Sequence, residues 1–211
     1  MPVRSRKRNI TEPGQSDAPA PSPASLEILT IGHSTRLIDD FVRLLQAHGV
    51  DLVMDVRTIP RSRRNPQFSQ DVLPVSLKKA AIGYEHAPML GGLRRPAPDS
   101  INAGWRNASF RGYADYMQTP EFVDAVEKLV RAARRKRMAL MCAEAVPWRC
   151  HRSLIADALV VRGIAVGHIM SLVRRSPHVL TPFAKVRGRQ ITYPPPGSES
   201  VKIRTGEIDE S

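Results

Sequence analysis

The residues best suited to chemistry lie in one short stretch between positions 140 and 152. Cys142 and Glu144 stand at the end of an apolar run, and Arg149, His151 and Arg152 stand at the start of a predicted helix. The free N–H groups and positive dipole end of a helix N-terminus attract anions, and the two arginines add charge there. A thiolate in such surroundings has a lowered pKa. The stretch therefore predicts an anion site, with Glu144 and His151 as the leading catalytic candidates and Cys142 beside them.

Three other interpretations of the two cysteines remain open. A strand, Cys, loop, Arg and helix in this order is also the layout of cysteine-based phosphatases and rhodanese-like sulfurtransferases. Those enzymes place five residues between Cys and Arg, whereas six separate Cys142 from Arg149, and no glycine lines the loop. Both cysteines could instead be small core residues. A zinc site of Cys142, Cys150 and His151 lacks a clear fourth ligand, so we predict no metal site.

Polar residues also follow two other apolar runs. One run ends at Gly32, His33 and Ser34, and the other ends at Asp55 and Arg57. Because ligands of parallel sheets bind beyond the carboxyl ends of the strands, we expect these residues near Cys142. Asp55 and Arg57 share one side of an extended segment, where they form either part of the site or a structural ion pair. A carboxylate among cations stays ionised and can act as a base.

The elements that must position these residues alternate along the chain. Short apolar runs at 28–31, 52–56, 138–142 and 164–169 read as strands, with a weaker candidate at 83–86. Between them lie amphipathic stretches, including predicted helices at 120–137 and 148–161. This order predicts a compact single α/β domain over residues 26–183, with a mainly parallel sheet flanked by helices. Residues 1–25 and 184–211 read as disordered, flexible tails.

The charge of the chain favours an acidic partner. The sequence has 211 residues and a net charge of +12, from 32 Lys and Arg against 20 Asp and Glu. Basic residues cluster at 57–64 and 131–137, which suits a phosphate-bearing small molecule or a nucleic acid. A solvated helix face explains the second cluster equally well. No apolar run is long enough to span a membrane, and two cysteines make no disulfide framework, so we expect a cytoplasmic protein without a membrane partner.

Several motifs in order resemble the domain of unknown function 488 family. They are Ile31-Gly32-His33-Ser34, Asp55-Val56-Arg57 with Pro60 and Ser62, Gly83-Tyr84, Leu90-Gly91-Gly92, Phe110 with Tyr113 and Met117, Cys142-Ala143-Glu144 with Pro147, Cys150-His151-Arg152, and Val166-Gly167-His168-Ile169. The resemblance covers roughly residues 28–170. It implies a compact α/β protein of bacteria or archaea and supplies no reaction, although some members carry a DNA repair label.

Residues and resemblance together give the candidate site. Candidate catalytic residues are Glu144, His151, Cys142 and Asp55; candidate substrate-binding residues are Gly32, His33, Ser34, Arg57, Tyr84, Gly91, Gly92, Tyr113, Arg149 and Arg152. The leading hypothesis is a polar pocket for a phosphate-bearing ligand, in a hydrolase or transferase if the protein is an enzyme. The alternatives are a non-catalytic nucleic-acid-binding protein and a thiol enzyme. The sequence leaves the cofactor open.

Overall fold

A computed structural model describes residues 26–197 and confirms the α/β fold class, with helices on both faces of one sheet. The strands are β1 (Glu27–Gly32), β2 (Leu52–Asp55), β3 (Gly83–His86), β4 (Met138–Cys142), β5 (Ala165–Ile169), β6 (Arg175–Pro177), β7 (Lys185–Arg187) and β8 (Gln190–Thr192). The α-helices are α1 (Ile38–Ala47), α2 (Leu73–Lys79), α3 (Ala108–Tyr116), α4 (Pro120–Ala133) and α5 (Arg152–Val160). Strands β1 to β5 are parallel, in the order β3-β2-β4-β1-β5, and β6 adds an antiparallel edge.

The central strand β4 explains why the sheet is covered on both faces. All five of its residues are buried, and it pairs with β2 on one side and β1 on the other. Successive side chains point to opposite faces, so Ala139 and Met141 pack toward α1 and α2 while Met138 and Leu140 pack toward α3, α4 and α5. A strand buried on both faces needs an uninterrupted apolar sequence, which is what residues 138–142 supply.

A crevice suited to a ligand lies at the carboxyl ends of the neighbouring strands β1 and β4. The chain leaves β1 through α1 toward β2 on one side of the sheet, and it leaves β4 through α5 toward β5 on the other side. The two helices lie on opposite faces, so their connections diverge above the carboxyl ends of these neighbouring strands. Such a divergence is where open α/β sheets bind ligands. The residues that directly follow β1 and β4 therefore face a common crevice.

Two predicted helix boundaries were wrong. The helix expected at 148–161 begins at Arg152, because Pro147 opens a separate 3-10 turn (Pro147–Arg149) and Cys150 is extended, with φ −137° and ψ 144°. Helix α4 ends at Ala133 rather than at residue 137. Its start agrees with the sequence, since Thr119 caps it and Pro120 occupies its first turn.

The ordered domain also extends beyond residue 183. Strands β7 and β8 form a hairpin, and Tyr193 is fully buried with its hydroxyl donating to Asp157 at 2.8 Å. The proline-rich composition of residues 184–211 predicts a flexible tail, and composition gives no sign that one aromatic residue, Tyr193, packs into the domain. Residues 1–25 and 198–211 lie outside the described residues. Within residues 26–197, no helix is long and apolar enough to cross a membrane.

Candidate functional site

A cavity of about 360 Å³ opens at the carboxyl ends of β1, β2 and β4. Seven of the predicted site residues line it: His33, Arg57, Gly92, Cys142, Glu144, Arg149 and His151. Cys150 lines it as well. The cavity collects residues from five separate segments of the chain, and its walls are more apolar than polar. We call it the strand-end pocket.

Cys142 lies at the floor of the strand-end pocket, in contact with a buried arginine. The Arg152 side chain is 1% exposed, and its Nη1 donates to Cys142 Sγ and to the carbonyl oxygens of Ile31 and Glu144, both at 3.2 Å. Among residues 26–197, no carboxylate pairs with it. A fully buried guanidinium is costly unless a negative charge compensates it. The Cys142 sulfur is the group placed to supply that charge as a thiolate.

The second cysteine completes this arrangement. Cys150 Sγ lies 2.7 Å from Cys142 Sγ, and both thiols are free. Burial opposes ionisation of Cys142, but the hydrogen bond from the Cys150 thiol and the charge of Arg152 outweigh it, so the pKa of Cys142 lies below its usual value. The same hydrogen bond to Cys142, together with burial, raises the pKa of Cys150. The two shifts have opposite directions, so Cys142 is the thiol of the pair that ionises more readily.

His151 is held as a neutral imidazole at the wall of the pocket. Its Nε2–H donates to the carbonyl oxygen of Val56 at 2.9 Å, which leaves a lone pair on Nδ1. That Nδ1 lies 3.5 Å from Cys150 Sγ. Burial lowers the pKa of His151 to about 4. The ring also contacts Tyr113, with centroids 5.0 Å apart, so its orientation is fixed from two sides.

Asp55 and Arg57 form a buried ion pair, and of the two only Arg57 also lines the pocket. Arg57 Nε and Nη2 donate to the Asp55 carboxylate, and Nη2 also donates to Phe68 O at 2.8 Å. Asp55 is fully buried and also accepts from Tyr84. Arg57 Nη1 donates to His33 Nε2 at 3.3 Å, while His33 Nδ1–H donates to Ser34 O. Burial lowers the pKa of His33 to about 4, so this ring is neutral too.

The loop after β4 does not form a phosphate cradle. A Cβ on Gly32 would lie 1.8 Å from the carbonyl oxygen of Glu144, so glycine is required for this close approach. Because carbonyl oxygens rather than N–H groups crowd Cys142 and Arg152, the loop cannot wrap an oxyanion as cysteine-based phosphatases do. The Glu144 side chain itself is exposed at the pocket mouth.

The remaining predicted residues support the pocket from outside it. Arg152 lies beneath the floor rather than on the surface, because backbone carbonyls of β1 and the β4 loop hold its guanidinium. Asp55, Gly32, Ser34, Tyr84, Gly91 and Tyr113 do not line the cavity either. Tyr84 and Tyr113 donate their hydroxyls to Asp55 and to Leu90 O, and burial raises the pKa of both. Gly91 lets the chain pass Thr58, where a Cβ would lie 2.4 Å from Oγ1.

Several residues that line the pocket were not predicted as site residues from the sequence. They are Thr58, Ile59, Arg61, Ser62, Leu93, Ser109 and Phe110. Arg61 had a signal in its basic cluster, and Ser62 and Phe110 belonged to the quoted motifs. The others come from the loop after β2, the stretch after Gly92 and the start of α3, where nothing in the local sequence indicates the pocket. Among the described residues, no group of three or more His, Cys, Asp or Glu side chains could hold a metal ion.

The fold and the site together define an α/β protein with a strand-end pocket over a buried cysteine pair. A family model described as "Domain of unknown function DUF488" matches residues 37–159, and the chain belongs to this family. The resemblance seen in the sequence is thereby confirmed. No curated protein and no solved structure shows a significant match to the chain.

Proposed function

We propose that this protein is a cysteine-dependent enzyme whose strand-end pocket binds a small anionic substrate. One observation carries the proposal: Arg152 is buried, has no carboxylate partner among residues 26–197, and donates to Cys142 Sγ. An arginine in this position stabilises a thiolate, and the thiolate is the nucleophilic form of cysteine. Cys142 also lines the cavity, so the sulfur lies where a bound molecule would meet it.

The proposal gives the pocket residues distinct roles. Cys142 attacks the substrate. Arg149 and Arg61 are exposed at the mouth and attract an anion, phosphate-bearing substrates included. His151 and His33 are both neutral, so they can interact with a substrate through hydrogen bonds of their ring nitrogens and not through a positive charge. The Glu144 carboxylate at the rim repels other negative charges, so it limits the negative charge that a bound substrate can carry near this residue. A transferase or hydrolase that forms a covalent intermediate on sulfur fits this arrangement.

The proposal is tested with two alkylating reagents of similar size. Iodoacetate is anionic and iodoacetamide is neutral, so the ratio of their rates at Cys142 reports the charge felt in the pocket. We expect Arg149→Ala to lower the iodoacetate rate by a factor of about three or more and to leave the iodoacetamide rate nearly unchanged. Arg43→Ala, at an exposed arginine on α1, is the matched control. Equal ratios in the wild type and both variants would remove the anionic part of the proposal.

A second candidate function is nucleic-acid binding, which rests on a different set of residues. Arg61, Arg63 and Arg64 are exposed on the loop after β2, and among the described residues none of them forms an ion pair. Unpaired arginines beside a pocket are suited to phosphates of a nucleic-acid backbone. Cytoplasmic location and a link to DNA repair belong to this candidate as proposals.

Salt dependence separates the two functions. If the loop binds a nucleic acid, each arginine replaced by alanine should reduce the slope of log K against log salt by about one. Arg134→Ala and Arg135→Ala, in the other basic cluster, serve as controls. Binding that survives the triple loop variant with an unchanged slope would exclude this loop as the contact.

A further inference from the structure

We infer that Cys142 and Cys150 form a dithiol centre that reduces small anionic disulfides and closes into an internal disulfide. This inference rests on the proposed function, because Cys142 is again the nucleophile, and it adds the substrate class and a role for Cys150. The starting observation is that the two sulfurs lie 2.7 Å apart at the pocket floor. Two cysteines that served only as core residues would not need to contact each other. They would also not need to lie next to a buried arginine at the wall of a cavity.

The two sulfurs come from rigid neighbouring elements. Cys142 is the last residue of β4, and Cys150 follows the 3-10 turn two residues before α5. The Arg152 N–H points toward Cys150 Sγ at 3.4 Å, and the Arg152 guanidinium donates to Cys142 Sγ. One arginine therefore holds both sulfurs, by its backbone and by its side chain. A disulfide bond is about 2.0 Å long. The two sulfurs are 2.7 Å apart, so they need to approach each other by less than about 1 Å to form one.

The first step forms a mixed disulfide. The Cys142 thiolate attacks one sulfur of a disulfide R–S–S–R′, a new S–S bond joins Cys142 to R–S, and R′–S⁻ leaves with the electron pair of the broken bond. Attack at sulfur is faster from a thiolate than from a thiol. Cys150 does not compete for this step, because its proton is held in the hydrogen bond to Cys142.

The second step is prepared by the first. The pKa of Cys150 is raised by its hydrogen bond to Cys142, by burial and by the negative charge of Cys142, and the first and the last of these vanish when Cys142 becomes a neutral disulfide sulfur. The charge of Arg152 then lowers the pKa of Cys150. Cys150 gives its proton to His151 Nδ1, 3.5 Å away, and attacks Cys142 Sγ. R–S⁻ leaves and takes the proton from His151. Substrate and protein exchange two electrons: the Cys142 thiolate and the Cys150 thiol become one disulfide, and the substrate disulfide becomes the thiolate R′–S⁻ and the thiol R–SH.

The surroundings of the pair favour an anionic disulfide. Arg61 and Arg149 are exposed at the mouth, and the apolar side chains of Ile59, Leu93 and Phe110 also line the pocket. A disulfide whose two arms carry carboxylates can place its charges at the arginines and its apolar S–S bond against these walls. Neutral disulfides should react with the same Cys142 thiol, but more slowly, because the arginines at the mouth do not attract them.

Glutathione disulfide is the anionic probe, and hydroxyethyl disulfide is the neutral one. Reduced wild-type protein freed of reductant should lose two hydrogen atoms by intact mass after treatment with glutathione disulfide. Trypsin cleaves after Arg137, Arg149 and Arg152, so the two cysteines fall on separate peptides. The internal disulfide should therefore join residues 138–149 to residues 150–152 in the non-reduced digest.

The variants assign the two roles. Cys150→Ser should stop at one glutathione adduct on Cys142, and Cys142→Ser should react at least tenfold more slowly. Arg149→Ala should slow the reaction with glutathione disulfide more than that with hydroxyethyl disulfide. A wild-type protein that keeps a glutathione adduct and forms no internal disulfide would overturn the resolving role of Cys150.

Iodoacetamide labelling of the same protein separates this inference from the proposed function. If iodoacetamide alkylates native Cys142 but neither disulfide reacts, the dithiol chemistry is wrong and the nucleophile remains. If Cys142 also resists iodoacetamide until the chain unfolds, the dithiol inference and the proposed function both fail. Circular dichroism of each variant shows whether it is folded, and the wild-type result decides the inference even where a variant is not.

Discussion

Arg152 lies beneath Cys142 and donates to its sulfur from a position that is 1% exposed. The contact joins the first turn of α5 to the last residue of β4, and it sets the charge of the pocket floor. It also explains why the arginine is tolerated in the core, because the Cys142 sulfur and two backbone carbonyls accept hydrogen bonds from its Nη1. The chemistry proposed for the protein follows from this pair.

Removing the charge of Arg152 should raise the pKa of Cys142. In Arg152→Gln, we expect the pH midpoint of iodoacetamide alkylation at Cys142 to move upward by at least about one unit, which corresponds to about 1.4 kcal/mol. Arg162→Gln is the control, since the side chain of Arg162 is also buried but binds Glu127. An unchanged midpoint in a folded Arg152→Gln protein would show that the arginine does not act on the thiol.

The buried ion pair of Asp55 and Arg57 should matter for stability. Asp55→Asn leaves the Arg57 guanidinium buried without a counter-charge, and we expect a loss of about 3–5 kcal/mol in the free energy of unfolding measured in urea. Asp40→Asn breaks the exposed pair with Arg43 and should cost less than about 1 kcal/mol. Similar losses in the two variants would mean that burial does not strengthen the Asp55 pair.

Gly92 should be needed to keep the ring of His151 in place. A Cβ at this position would lie 2.3 Å from His151 Nδ1, so Gly92→Ala must displace the ring or the loop that carries residue 92. We expect slower closure of the Cys142–Cys150 disulfide and a lower thermal midpoint. Gly83→Ala is a suitable comparison, because its Cβ would meet the end of the Leu52 side chain at 3.2 Å and the Asp51 carbonyl oxygen at an ordinary contact distance of 3.4 Å. Disulfide closure at the wild-type rate would contradict a displacement of the His151 ring by this substitution.

The three buried histidines predict how stability depends on pH. Burial lowers the pKa of His33, His151 and His168 to about 4 in the folded protein, against 6.5 for an exposed histidine. The unfolded chain therefore binds protons that the folded chain excludes between these pH values. Stability should be full above pH 6.5 and should fall as the pH decreases toward 4.

Urea denaturation across this range measures the effect. Each histidine should contribute a slope of up to about 1.4 kcal/mol per pH unit, and the slope should vanish above pH 7. His168→Asn should remove the contribution of one histidine to the slope of the free energy of unfolding against pH. A free energy of unfolding that stays constant from pH 7 to pH 5 would contradict the neutral state of these rings.

The sequence predicts the strands and the edge at which the site lies, because both follow from local patterns. The apolar run that ends at Cys142 predicts β4, and the parallel sheet brings His33 and Cys142 to one edge. The position of Arg152 could not be predicted in the same way. Helix N-termini suggest an exposed arginine that meets a ligand, whereas the carbonyls of Ile31 and Glu144, from two other segments, draw this one inward.

Long-range contacts also decide the other differences. Asp55 is near the site by sequence, but it lies in a buried network in which Tyr84 donates to Asp55 and Arg57 donates to the carbonyl oxygen of Phe68. Phe110 reaches the pocket from α3, across an excursion with no periodic pattern. The hairpin β7–β8 belongs to the domain because Tyr193 finds Asp157, a partner far away in the sequence.

The pH dependence of Cys142 alkylation by iodoacetamide tests the central claim most directly. Native protein is labelled at a series of pH values, and the rate at Cys142 is compared with that of the same residue in the urea-unfolded chain. A buried thiolate held by Arg152 predicts a midpoint well below the value of about 8.5 for a free thiol, with Cys142 labelled before Cys150. A midpoint at or above that value, or reaction of Cys142 only after unfolding, would contradict the claim.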